Sequence, residues 1–152
     1  MRRTLLLVAA QVAIPLTAAL AQAPAAGLTP GEIVAARQTG FAQSRGSFLA
    51  MKAAAEAGAD VKQLVAPARS LGRWARTLPS LFPADTDLPN SKALPAVWSD
   101  RPGFEARAAA YDAAARQLAD AAQSGDRAAF LTRWGEVAAA CSACHDSYRS
   151  PD

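Results

Sequence analysis

Cys141-Ser142-Ala143-Cys144-His145 holds both cysteines and the single histidine of this 152-residue chain. The five residues close a segment in which Phe130, Trp134, Val137, Cys141, His145 and Tyr148 recur at helical spacing. The motif is therefore expected on one face of a last helix. Residues three apart on a helix lie on the same side about one turn apart, which brings the Cys141 and Cys144 thiols together, and His145, four on from Cys141, projects from that face. Cys-x-x-Cys-His is the attachment pattern of c-type haem, with two thioethers along one haem edge and the imidazole as proximal iron ligand. Other chemistries each lack a part. A structural zinc site wants four protein ligands, and three good ones are present. A thioredoxin-type dithiol expects a βαβ setting, and a structural disulfide would leave the adjacent histidine unexplained.

The other end of the chain reads as an address. Met1-Arg2-Arg3 is a positive n-region, Thr4 to Leu20 is almost wholly apolar, and Ala19-Leu20-Ala21 fits the small-x-small rule for cleavage. Residues 1–21 are thus expected to be a cleaved signal peptide and residues 22–152 the mature domain, exported to the periplasm. A membrane anchor fits less well, because Gln11 and Pro15 interrupt an apolar stretch already short for a bilayer. Removing Arg2 and Arg3 takes the formal net charge from +3 to +1. No basic tract survives, so nucleic acid is not an expected partner, and no membrane association is expected after cleavage.

The mature sequence is rich in Ala, Leu, Arg, Gln and Glu without alternating β-branched runs, which is a helical composition. Thr29-Pro30-Gly31-Glu32 opens a first helix as a capping box, and it runs to about Gly58, with Ile33, Arg37, Phe41, Phe48 and Met51 facing inward or toward the cofactor. A second begins at Asp60 and buries Val61, Leu64, Leu71, Trp74 and Leu78, with Pro67 expected to kink it or delay its start. Pro79 to Pro102 holds five of the ten prolines and is expected to be a non-helical crossover. A third helix follows from about Gly103 to Gln123, with Phe104, Tyr111, Ala115 and Leu118 on one stripe, and Ser124-Gly125-Asp126 ends it and caps the fourth. The fold class expected is all-α, an antiparallel four-helix bundle with one long crossover loop. Trp74, Trp98 and Trp134 read as core.

With the haem motif on the last helix of such a bundle, the chain resembles the cytochrome c′ family, the class II c-type cytochromes. The resemblance covers essentially the whole mature chain. It is carried by Cys141-x-x-Cys144-His145-Asp146-x-Tyr148-Arg149, by Arg37-Gln38-x-x-Phe41, by Leu78-Pro79 with Phe82-Pro83, and by Leu94-Pro95-Ala96-Val97-Trp98. It implies that Arg37 and Gln38 lie by the haem and its propionates, that Lys92 approaches the haem edge, and that Arg149 sits beside the proximal imidazole. It also implies a homodimer packed through the first two helices.

Low-spin members of that family present a methionine four residues after the Arg37 equivalent. Here that residue is Phe41, which cannot bind iron. Met51 lies ten residues further on, about 15 Å along the helix and roughly 80° away in angle, so it should not reach the same iron. Lys52, Lys62 and Lys92 are the remaining formal ligands. The expectation is one covalent haem c, pentacoordinate and high-spin, with Phe41 over its distal face and no hydrogen-bond donor there. Such an iron would bind NO or CO and exchange electrons with a partner protein that the sequence does not identify. A low-spin electron carrier between respiratory complexes is the alternative. An enzyme is not expected, since no second histidine or distal acid–base pair is evident to cleave an O–O bond.

Overall fold

The computed structural model describes residues 27–151, so the signal-peptide reading of residues 1–21 lies outside the described residues. Helix α1, Pro30–Glu56, begins as the capping box dictates. The Thr29 hydroxyl accepts from the Glu32 backbone N–H at 3.3 Å, and the Glu32 carboxylate accepts from the Thr29 N–H at 2.8 Å. Pro30 fits the first turn because its missing N–H would have no intrahelical acceptor there.

The stretch after Asp60 is not α-helical at once. Val61–Leu64 forms a 3₁₀ turn, and α2 spans Val65–Thr77. Pro67 falls in the first turn of α2, so the proline delays the helix start rather than kinking it. The crossover is more helical than its prolines suggested. It contains 3₁₀ turns at Leu78–Leu81 and Ala84–Thr86 and a single α-turn, α3, at Ala96–Ser99. Pro79 and Pro95 stand at or just before the starts of such turns, where proline's fixed φ favours a short helix. Helix α4, Arg101–Ser124, then starts ahead of Gly103, with Pro102 in its first turn and the Asp100 carboxylate accepting from Gly103 N–H at 3.2 Å. Gly125, at φ +81°, ends it, and Asp126 caps α5, Arg127–Tyr148.

The four long helices α1, α2, α4 and α5 form the bundle. α4 packs along α2 on one side and α5 on the other, while α1 touches α2 and α5 more sparsely. Leu71, Leu118, Phe130 and Val137 sit at the centre of the main core. A second, smaller core of Phe82, Val97, Phe104 and Tyr148 lies under the crossover. No strand occurs among the described residues. One isolated antiparallel bridge, Ala93 to Arg149, ties the end of α5 to the crossover.

Candidate haem site

The sparse packing of α1 leaves a cavity of about 850 Å³ bounded by α1, α2, α4, α5 and the crossover, near the upper end of the ~300–1,000 Å³ usual for a buried small-molecule site. Helix α5 supplies one wall. Cys141, Cys144 and His145 all line it, as three- and four-residue spacing on a helix requires. Arg37, Gln38 and Phe41 line it from α1, Lys92 from the crossover and Arg149 from the end of α5. All eight residues singled out in the sequence therefore surround one cavity.

Their individual settings differ from what the sequence suggested. Arg37 is 2% exposed, and its guanidinium is committed to the crossover. It donates to Leu81 O (3.0 Å), Thr86 Oγ1 (2.8 Å), Thr86 O (3.0 Å) and Ser91 Oγ (2.8 Å), and lies 4.1 Å from the centre of the Phe82 ring. Burial pulls its pKa below the usual guanidinium value, opposed by Asp87. Gln38 is exposed, and its Nε2 donates to Asn90 O at 2.8 Å. Lys92 Nζ donates to Pro151 O at 3.3 Å, while its own carbonyl accepts from Ser150 N–H at 2.9 Å. Phe41 is 39% exposed and edge-on to Trp74, at 5.3 Å between centroids.

The cavity wall is less uniformly apolar than expected of the distal face. Ser44, Arg45, Arg107 and Tyr111 also line the cavity, with Ser44 Oγ and Tyr111 Oη 3.0 Å apart. Arg45 follows Phe41 by one turn, so the α1 stripe could have revealed it. Arg107 and Tyr111 come from α4, and no local pattern links them to the motif. Trp74, read as core, is also a wall residue.

The charge of the wall is one-sided. Arg37, Arg45, Lys92, Arg107 and Arg149 line the cavity, and among the described residues no carboxylate does. Burial pushes both thiols up, with Cys141 raised further by Cys144, and Cys144 held back by Arg107. Among the described residues no three His, Cys, Asp or Glu side chains converge to hold a metal ion by themselves. Haem is a large apolar disc with two carboxylates, and a mostly apolar wall with cations, two thiols and an imidazole fits it.

The fold and site together define a c-type haem protein built on a helical bundle. The Cytochrome C′ family model matches residues 32–149. Cytochrome c′ of Rubrivivax gelatinosus is 34% identical over 123 residues, 79% of this chain and 95% of that protein. A solved cytochrome c′ with ligand-controlled dimer dissociation superposes with a TM-score of 0.77 at 28% identity, covering 83% of this chain and 100% of the other. A nitric oxide complex of a variant cytochrome c prime from Alcaligenes xylosoxidans gives a TM-score of 0.74 at 28% identity, covering 82% and 98%. The chain belongs to the cytochrome c′ family and, with it, takes one covalently attached c-type haem.

Proposed function

We propose that this protein is a periplasmic monohaem cytochrome c′ whose iron is held on one side by His145 and left, on the side faced by Phe41, to nitric oxide or carbon monoxide. The residue content of the wall carries this reading. Phe41 faces the cavity from α1, whereas Met51, the one methionine among the described residues, is 2% exposed in the main core and absent from the wall. Lys52 pairs with Glu56 and lies 5.6 Å from the Trp134 ring centre, and the Lys62 stem rests by Gly125. Neither lines the cavity.

Bound haem supplies an iron that takes one small ligand and carries one electron. The chain does the rest. Cys141 and Cys144 anchor the cofactor through thioethers, and His145 supplies the proximal nitrogen. Phe41 limits the room for a ligand and withholds a hydrogen bond, which suits small uncharged diatomics. Arg37, Gln38 and Lys92 bring positive charge or polar donors to the wall, favourable for the haem carboxylates, and Arg149 stands one turn past His145 on the proximal side. The nitric oxide complex of the Alcaligenes relative supports the gas-binding part. Export rests on the signal pattern of residues 1–21, and no helix among the described residues is long and apolar enough to cross a membrane. Pairing of two chains is supported by the ligand-controlled dimer of the solved relative, and its placement through α1 and α2 rests on the family resemblance, with Leu28 64% exposed just ahead of α1.

Absorption spectra of the purified protein in both oxidation states test the coordination. High-spin spectra are expected, shifting toward low-spin in Phe41→Met, because Met fills the volume of Phe flexibly and adds a thioether. A low-spin wild type overturns the open distal side. Mixing the reduced protein with NO should change the Soret band at a rate limited by Phe41, and Phe41→Ala should speed it. A protein inert to NO and CO yet rapidly oxidised and reduced by a partner cytochrome would be the electron carrier instead.

A further inference from the structure

His145 stands in a poor place for an iron ligand. It lies in the last turn of α5, where the backbone carbonyls run out of intrahelical donors and helices fray first. An imidazole on a fraying turn would drift relative to a cofactor fixed by Cys141 one turn earlier.

Tyr148, the final residue of α5, ties that turn down twice. Its carbonyl accepts from Leu94 N–H at 3.0 Å, and beside it Ser150 N–H pairs with Lys92 O at 2.9 Å. Its ring is buried at 7% exposure, and its hydroxyl donates to Asp100 Oδ2 at 2.6 Å. Asp100 is itself held, because its other oxygen caps α4 at Gly103 N–H. The surroundings are shaped to this bond. A Cβ on Gly103 would overlap both the Asp100 carboxylate and Tyr148 Oη, so glycine is what admits the pair. The ring meets Phe104 edge-on at 5.4 Å in the small core, and Cys144 packs against the same core. The start of α4 is thus joined to the last turn of α5 beside the attachment motif.

We propose that Tyr148 is a positioning residue for His145. Pinned to Asp100 through its hydroxyl and to Leu94 through its carbonyl, it holds the last turn of α5 so that the imidazole keeps its line to the iron. Nitric oxide weakens the bond opposite to it, so the pin also sets how readily His145 lets go. The first part rests on His145 as the iron ligand, and the second rests on gas binding as well.

Resonance Raman of the ferrous holoprotein tells these apart. The wild type should show an iron–imidazole stretch, and its absence would overturn the ligand and the pin together. Tyr148→Phe keeps the ring against Phe104 and removes the hydroxyl. The stretch should then fall in frequency, since a tilted bond is softer. Under excess NO the five-coordinate nitrosyl should form roughly three- to tenfold faster, the factor for one lost hydrogen bond. An unmoved stretch in the folded variant would overturn the proposal even if the melting temperature dropped, because the hydroxyl would then serve the fold alone. A wild type that shows the stretch but is inert to NO would overturn the second part only. Should Tyr148→Phe fail to fold, Asp100→Asn replaces it, since asparagine still caps α4 and offers Tyr148 a neutral group in place of the charged acceptor. It should lower the stretch by less, and an unmoved stretch there would overturn the pin.

Discussion

Arg37 joins α1 to the crossover through four hydrogen bonds in a site almost closed to water. Arg37→Ala leaves the carbonyls of Leu81 and Thr86 without that donor, at a cost of roughly 3 kcal/mol in urea unfolding. Limited proteolysis between residues 81 and 95 should quicken with it. If cleavage is unchanged, the crossover is held instead by Arg101, which donates to Phe82 O at 3.0 Å and Pro79 O at 2.6 Å. Tyr111 makes a second residue-scale prediction. Burial lifts its phenol from 10.0 to about 12, with the Ser44 bond acting the other way. The unfolded chain ionises first, so the phenol's contribution to stability is whole below pH 10.0 and is lost as the pH rises toward 12. Ser44→Ala should move the phenol's titration, followed by NMR, to still higher pH.

Glycines separate the helices into contact and solvent faces. Gly40→Ala places a methyl into the Trp74 ring, and the forced separation of α1 from α2 should cost roughly 1–3 kcal/mol. Gly46 in α1 and Gly135 in α5 have nothing within 4 Å of an added Cβ. Alanine at either should stabilise the protein by about 0.5–1 kcal/mol, because it removes chain entropy from the unfolded state at no steric cost. Thermal melts of the three variants check this, and a stabilised Gly40→Ala would mean that α1 does not lie against Trp74. The α2–α4 seam follows the same logic. Gly72 admits the Asp112 carboxylate, which would lie 2.9 Å from a Cβ there and is met by Arg76 at 2.6 Å and Arg116 at 3.1 Å. Both arginines are more than half exposed, so solvent screens much of each pair's energy.

At the scale of the whole molecule, the apolar core and the cofactor anchor are separable. Phe130 is fully buried in the main core and does not line the cavity. Phe130→Ala should cost about 3–5 kcal/mol of stability while leaving the absorption spectrum of the folded holoprotein unchanged. Cys141→Ala and Cys144→Ala should do the reverse. Each should weaken haem retention in acidified organic solvent, and the double variant should lose it altogether. Haem that washes out of the wild-type protein would remove the thioether anchor from the account.

The cofactor and the helices were legible in the chain because both depend on short-range spacing. Cys141, Cys144 and His145 share a face by helical geometry alone, and Thr29, Gly125 and Asp126 cap or end helices through their immediate neighbours. The start of α2 and the short turns of the crossover were less legible, since proline marks a boundary without saying which side of it is helical. The true employment of Arg37 was hidden altogether. Its acceptors are 44 to 54 residues away and reach it only when the crossover folds over α1. Arg107, Tyr111 and Trp74 enter the cavity wall for the same reason, each from a helix whose own periodicity says only that one face is buried. Sequence spacing thus determined what the α5 face can bind, and tertiary packing decided which distant side chains surround it, because a cavity between four helices is a property of their arrangement and of no single one.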